Sequence, residues 1–290
     1  MLTLLTIFDK ASGPCWNALR KRLAKEKIAP LTITHAPNLI GHPIGILILV
    51  FSGMFLLPKD PLFFLFWFGM IALSSIVSIF IILGLLETKF FTTQIIGSLG
   101  FVSSSVCASI FLGEHLGAIK IFCLFLAILG VIFFAWPKEL NHFFAFDRGI
   151  VFTILAVILG GITSVLYKAA TFHVSGFGAL LTGRFIGDLI GWTIAWLISM
   201  WIIKRNPISD LANLAHKKSG RIFVVGLTIT TLIDAWVIYK LPVTTVAMIG
   251  TLAFPVMYFL SYFKYKEKIT VKMWIGTLCI ISSIILFLMA

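Results

Sequence analysis

Residues 149–168 read Gly-Ile-Val-Phe-Thr-Ile-Leu-Ala-Val-Ile-Leu-Gly-Gly-Ile-Thr-Ser-Val-Leu-Tyr-Lys, and no charge interrupts the run between Arg148 and Lys168. At about 1.5 Å of rise per residue such a run covers the roughly 30 Å hydrocarbon core of a bilayer. The stretch is predicted to be a transmembrane helix, and its character recurs along the chain. Apolar runs and their breakers predict ten spans, at residues 2–22, 31–57, 62–85, 91–112, 117–136, 149–168, 177–203, 221–240, 243–263 and 271–289. Composition agrees, since 60% of the 290 residues are apolar and 12% are charged, against about 45–50% and about 25% in a soluble domain. The expected fold class is an all-α polytopic membrane protein. A formal net charge of +12 would suggest nucleic acid in a soluble chain. Here the basic residues crowd short connections, where they orient helices against the membrane, so no nucleic-acid partner is expected.

Cys15, Cys107, Cys123 and Cys279 are dispersed without paired spacing, which supports neither a disulfide framework nor a zinc site. Residues 1–10 have an apolar start but no basic n-region and no small-residue cleavage site, so no cleavable signal peptide is expected. The first span is the weakest, because Asp9 and Lys10 interrupt it and Arg20, Lys21 and Arg22 crowd its end. It either crosses the bilayer or lies at its interface. The connections 137–148 and 204–221 are too short to fold as domains.

The two halves repeat one another. Gly97, Leu99, Phe101 and Glu114 recur 153 positions later as Gly250, Leu252, Phe254 and Glu267. Gly13, Leu19 and Lys21 recur at an offset of 147 as Gly160, Leu166 and Lys168, and Asn38-Leu-Ile-Gly41 is echoed by Asp188-Leu-Ile-Gly191 at 150. Each half, 1–136 and 149–290, would hold five spans with 137–148 as the connecting loop. Five is odd, so the second half enters the membrane from the opposite side. Two inverted five-helix repeats are an architecture of secondary transporters, whose site lies between the repeats.

Residues 98–133, with Phe-Leu-Gly-Glu114 followed by a small-residue helix, and residues 251–288, with Phe-Pro-Val256 ahead of Glu267, carry a resemblance over nearly the whole chain. They resemble the two repeats of the drug/metabolite transporter superfamily, the EamA-like ten-helix proteins. Trp16-Asn17-Ala-Leu-Arg-Lys21 also resembles the Trp-Asn and downstream Lys that close the first helix in one branch of that family. The sequence departs from the pattern at Val102, which stands where the second repeat has Pro255, and at Asp9 and Lys10.

An ionisable group at membrane depth costs at least about 2.5–3.5 kcal/mol on insertion scales, so each one is a functional candidate. Arg184 and Asp188 stand four apart on one helical face, where they either neutralise each other or hold an anionic group of the substrate on the Arg184 fork. Gly183, Gly187 and Gly191 beside them predict close helix packing. Lys21 and Lys168 occupy equivalent places in the halves, either facing the central cavity or snorkelling to headgroups. The resemblance at Trp16 and Asn17 favours the cavity for Lys21. Trp16 and Tyr167 align one residue apart, and either ring can stack on a ligand. His35, Asn38 and His42 share one face of a span that holds Pro37 and Pro43, a place for hydrogen bonding or for proton and substrate handling. Asp234, in Thr230-Thr-Leu-Ile-Asp-Ala-Trp236, is the first choice for proton coupling and Asp9 the second. Glu114 and Glu267 are expected to cap the helices that follow them.

These features predict a secondary active transporter of a small polar metabolite, amino acid-like or an organic anion, in the cytoplasmic (inner) membrane. Alternating access of a monomer or homodimer, possible proton coupling, membrane lipid as surroundings, and no cofactor, metal or enzymatic activity complete the expectation. The rival readings are a flippase for a lipid-linked intermediate and a membrane enzyme or assembly subunit. No phosphate-binding loop accompanies the spans, so energy is expected from a gradient or exchange. Seventeen Lys and Arg lie in or beside the odd-numbered connections and four beside the even ones. Such an excess stays on the cytoplasmic side, which puts both termini of a ten-span chain outside, whereas the resemblance implies cytoplasmic termini. A topology reporter fused after Ala290 is expected to work only outside the cytoplasm; activity confined to the cytoplasm would reverse this orientation.

Overall fold

The computed structural model describes residues 2–87, 93, 96–97, 99–135, 148–253 and 271–290, and every regular element among them is an α-helix. In chain order these are α1 (Leu2–Lys25), α2 (Pro30–Phe51), α3 (Pro61–Glu87), α4 (Gly100–Leu112), α5 (Ala118–Ala135), α6 (Arg148–Thr171), α7 (Phe177–Ile202), α8 (Pro207–His216), α9 (Lys218–Lys240), α10 (Val243–Gly250) and α11 (Val271–Met289). Five of them, α2, α3, α6, α7 and α9, are long and apolar enough to cross a membrane. The apolar helices α4, α5 and α11 are shorter. Large apolar side chains such as Phe51, Ile110 and Trp201 project outward, as in a protein whose surroundings are lipid rather than water.

Two boundaries differ from the sequence expectation. α2 stops at Phe51 rather than at 57, because Gly53 takes a left-handed φ of 70° and the chain folds back, with Met54 N–H donating to Leu49 O at 2.9 Å. The connection 204–221 contains α8. Its start is set by Asn206, whose side chain accepts from the N–H groups of Ile208 and Ser209 at 2.9 and 3.3 Å, and by Pro207 at the first helical position. The expected linker 137–148 falls outside the described residues except for Arg148.

Contacts at the helix ends fix the running directions. Glu26, just past α1, pairs with Lys217, just before α9, at 2.7 Å. The Lys168 ammonium near the end of α6 donates to Ile238 O and Leu241 O at the end of α9, at 2.8 and 3.0 Å. α1 therefore ends where α9 begins, and α6 ends where α9 ends, so α1 and α6 run in opposite directions. Asp60 caps the start of α3 by accepting from Leu62 N–H at 2.9 Å, and its other oxygen meets His173 Nδ1 at 2.7 Å, beyond the end of α6. The Leu62 bond first and then His173 hold the Asp60 carboxyl below the usual carboxylate range. The two ends of the molecule are named below the Glu26 face and the Lys168 face.

Glycine stripes bring the helices together. Cβ atoms on Gly183, Gly187 and Gly191 of α7 would lie 2.5, 2.6 and 2.7 Å from Phe63, Trp67 and Ile71 of α3, two rows with the same four-residue spacing. On α6, a Cβ at Gly161 would lie 2.8 and 2.9 Å from the carbonyl carbon and oxygen of Ser103 in α4. Backbone cannot rotate away as the Ile71 δ-methyl can. Gly161→Ala is therefore expected to lower stability by about 1–3 kcal/mol, and Gly191→Ala by distinctly less, as read from thermal unfolding in detergent. Equal losses would contradict this packing.

Candidate functional site

A cavity of about 380 Å³ lies between elements of the two halves. α1 contributes Lys10, Gly13, Pro14 and Asn17, which fall at i, i+3, i+4 and i+7 and so line one helical face. α3 and α4 form further walls from the first half, and α6, the end of α9 and α10 close it from the second. The lining is mostly apolar with hydroxyls from Ser104, Thr153 and Ser164, and Lys10 is its charged side chain.

Lys10 is also one end of a chain of charges that runs into the protein from the cavity wall. Its ammonium lies 2.8 Å from Asp9 Oδ2 and 2.8 Å from Asp234 Oδ1. Asp234 Oδ2 stands 3.8 Å from Arg184 Nη2, and Arg184 Nε stands 3.7 Å from Asp188 Oδ2. The guanidinium also donates to the Tyr167 hydroxyl. Asp188 accepts from Trp67 Nε1 at 2.9 Å and lies 3.7 Å from His42 Nε2. Six helices thus supply one network: α1, α2, α3, α6, α7 and α9. Its wet end is Lys10 and Asp234, with side chains 26% and 22% exposed, and its dry end is Arg184 and Asp188, at 9% and 7%.

The charges do not balance. Asp9, Asp188 and Asp234 are three carboxylates against the two cations Lys10 and Arg184. Asp188 is held by a ring N–H and a guanidinium, and Asp234 lies between two cations. Among the described residues Asp9 has its chain neighbour Lys10 as its ion-pair partner within 4 Å, and shares that ammonium with Asp234. Desolvating an unmatched charge costs several kcal/mol, so this site has room for one further positive charge.

The sequence-predicted residues divide between this site and other tasks. Arg184, Asp188, Asp9 and Asp234 come together, and Asp234 has the partners that its sequence context concealed. Asn17 lines the cavity and accepts from Arg20 Nη1 at 3.2 Å. Trp16 turns instead toward α9, donating to Ser12 Oγ at 2.9 Å and meeting Phe223 edge-on above Gly226. His35 faces Thr193 Oγ1 at 3.1 Å and Trp196, so both α2 histidines reach α7. Asn38 on α2 and Lys21 near the end of α1 are not among the cavity-lining residues. Lys168 is turned to the carbonyls at the end of α9. Glu114 corrects its expectation: it caps α10 rather than the following helix α5, accepting from Val243 N–H and Thr244 N–H at 2.8 and 3.0 Å. Glu267 lies outside the described residues.

Lys10 as a hub, Tyr167 as an acceptor for Arg184 and Trp67 as a donor to Asp188 are not evident from the sequence. The available signal was a lysine in an apolar run, for which a partner had to exist somewhere in the membrane. Among the described residues no group of three His, Cys, Asp or Glu side chains is placed to hold a metal.

No curated protein matches this sequence. A solved crystal structure superposes with a TM-score of 0.68 at 12% identity, covering 98% of this chain and 94% of its own. At that identity the likeness concerns the fold alone. Residues 147–289 match the profile of the EamA-like transporter family. Residues 147–289, just under half of the chain, thus carry the match to the EamA-like transporter family, which is consistent with the drug/metabolite transporter superfamily.

Proposed function

We propose that the protein is a secondary active transporter that moves a small zwitterionic, amino acid-like metabolite by alternating access in the cytoplasmic membrane, coupled to protons. In this reading the chain spans the membrane ten times as two inverted five-helix repeats. The opposite directions of α1 and α6, the first helix of each half, support that arrangement. The cavity volume of about 380 Å³ suits a small solute, since ligand sites run from about 300 to 1,000 Å³.

The observation that carries the reading is the excess of carboxylate behind Lys10, the charged side chain of the cavity lining. Two carboxylates, Asp9 and Asp234, flank one ammonium at 2.8 Å each, and like charges so placed favour holding one proton between them. Asp9 is the proton carrier in this scheme, because Arg184 stays with Asp234. A solute entering from the cavity meets the Lys10 ammonium with its carboxylate and Asp9 with its ammonium, so the proton leaves as the solute's positive charge arrives. Asn17, two turns further along the same face of α1, accepts from or donates to the solute's polar end. Arg184 orients the acids through its planar fork, which a lysine cannot reproduce.

The test is transport in proteoliposomes of an amino acid first identified by the thermal stabilisation that a bound ligand gives the folded state. Asp9→Asn is expected to abolish accumulation driven by a pH gradient while retaining solute exchange. Asp234→Asn leaves Lys10 with Asp9 and Arg184 with Asp188 but removes the carboxylate that bridges the two cations, and should reduce both stability and exchange. Arg184→Lys should slow both modes. Normal gradient-driven accumulation by Asp9→Asn would rule out this carboxylate as the coupling group.

A further inference from the structure

We propose that Glu114 and Lys168 are positioning residues that form a releasable clasp, closing the cavity at the Lys168 face by holding the turn between α9 and α10. The proposal rests on the alternating-access reading, in which one end of the cavity is shut while the other is open. A helix leaves its last carbonyls and first N–H groups without partners, and the two-residue turn Leu241-Pro242 places both sets side by side. Lys168 donates to Ile238 O at 2.8 Å and Leu241 O at 3.0 Å. Glu114 takes the N–H groups of Val243 and Thr244, one on each carboxylate oxygen, at 2.8 and 3.0 Å. A cation at the end of α9 and an anion at the start of α10 also match the two helix dipoles.

The clasp joins moving parts to the cavity wall. Ile238 and Val243, on either side of the turn, line the cavity, as do Val246 and Ala247 in the next turn of α10. Glu114 follows α4 in the first half, whereas Lys168 and the turn belong to the second. Gly113, with a φ of 66°, ends α4 directly before Glu114 and sets the carboxylate off from the helix axis. No ion pair links Glu114 to Lys168 within 4 Å. Each charge instead holds backbone, so a shift of α4 relative to α6 withdraws the carboxylate and frees the start of α10 without stranding a buried salt bridge. Released, the turn is free to swing from the cavity and admit water from the Lys168 face.

The experiment needs no transported solute. In a variant with the native cysteines replaced by serine, Ala247→Cys provides a thiol on the cavity wall, and a membrane-impermeant, positively charged methanethiosulfonate reagent is applied to oriented vesicles from either face. Adding Glu114→Gln is expected to raise the labelling rate from the Lys168 face at least about tenfold, the scale of one charge-assisted hydrogen bond. Lys168→Gln, which leaves the α10 cap in place, should do the same, and Lys168→Arg should restore slow labelling. If Glu114→Gln does not insert, the two Lys168 variants carry the test alone. Unchanged labelling in the inserted variants, or an equal rise from both faces, would overturn the clasp. Because labelling is read without solute, a clasp-dependent rate in a protein that transports nothing would count against the transporter reading and not against the clasp.

Discussion

The Lys10 ammonium, set 2.8 Å from both Asp9 and Asp234 inside a helical membrane protein, is the interaction on which the rest of the architecture turns. Charges within a helical membrane protein are screened far less than in bulk water, so the ions gather partners from within the protein. That demand ties α1 to α9 through Lys10 and Asp234, and α9 to α7 through Asp234 and Arg184. The weak apolar character of α1 is therefore no defect. Its two charges fit only a chain that brings α9 and α7 to it.

Close packing makes the network possible. The glycine row of α7 allows the Trp67 ring to lie against Gly187, and from there Nε1 reaches Asp188 one residue further on. Tyr167 of α6 fills the other side of Arg184, whose guanidinium lies 5.0 Å from the ring centre. A methyl group on Gly187 would push the tryptophan off the carboxylate, so small residues and buried charge are parts of one arrangement. The helix ends obey the same rule by other means. Glu114 and Lys168 satisfy backbone groups at the Lys168 face, while Asp210 accepts from Ala29 N–H at 2.9 Å and Lys217 pairs with Glu26 at the opposite face.

What was legible in the sequence was what depends on neighbours along the chain. The apolar run 149–168 lies within α6, the four-residue glycine spacing faces α3, and Arg184 with Asp188 shares one face of α7. The places where reading fell short depend on distant partners. Lys10 and Asp234 are 224 positions apart and Trp67 and Asp188 are 121 apart, and no periodicity encodes such pairs. Trp16 looked like a ligand platform from its motif, yet Gly226 on α9 offers it a packing slot. Capping usually acts within a few residues, which points Glu114 to α5, whereas the carboxylate crosses to α10. The helix α8 lies in a segment that hydropathy marks only as a connection between spans, and its signal is the local Asn206-Pro207 start.

The account stands on one proton held among three acids and two bases. Infrared difference spectroscopy of the purified protein, titrated from neutral to alkaline pH, reads the protonation of buried carboxyl groups directly. The account predicts a single protonated-carboxyl carbonyl band at neutral pH that disappears on alkalinisation and is missing from Asp9→Asn. Absence of any such band in the wild-type protein, or its persistence unchanged in Asp9→Asn, would contradict it.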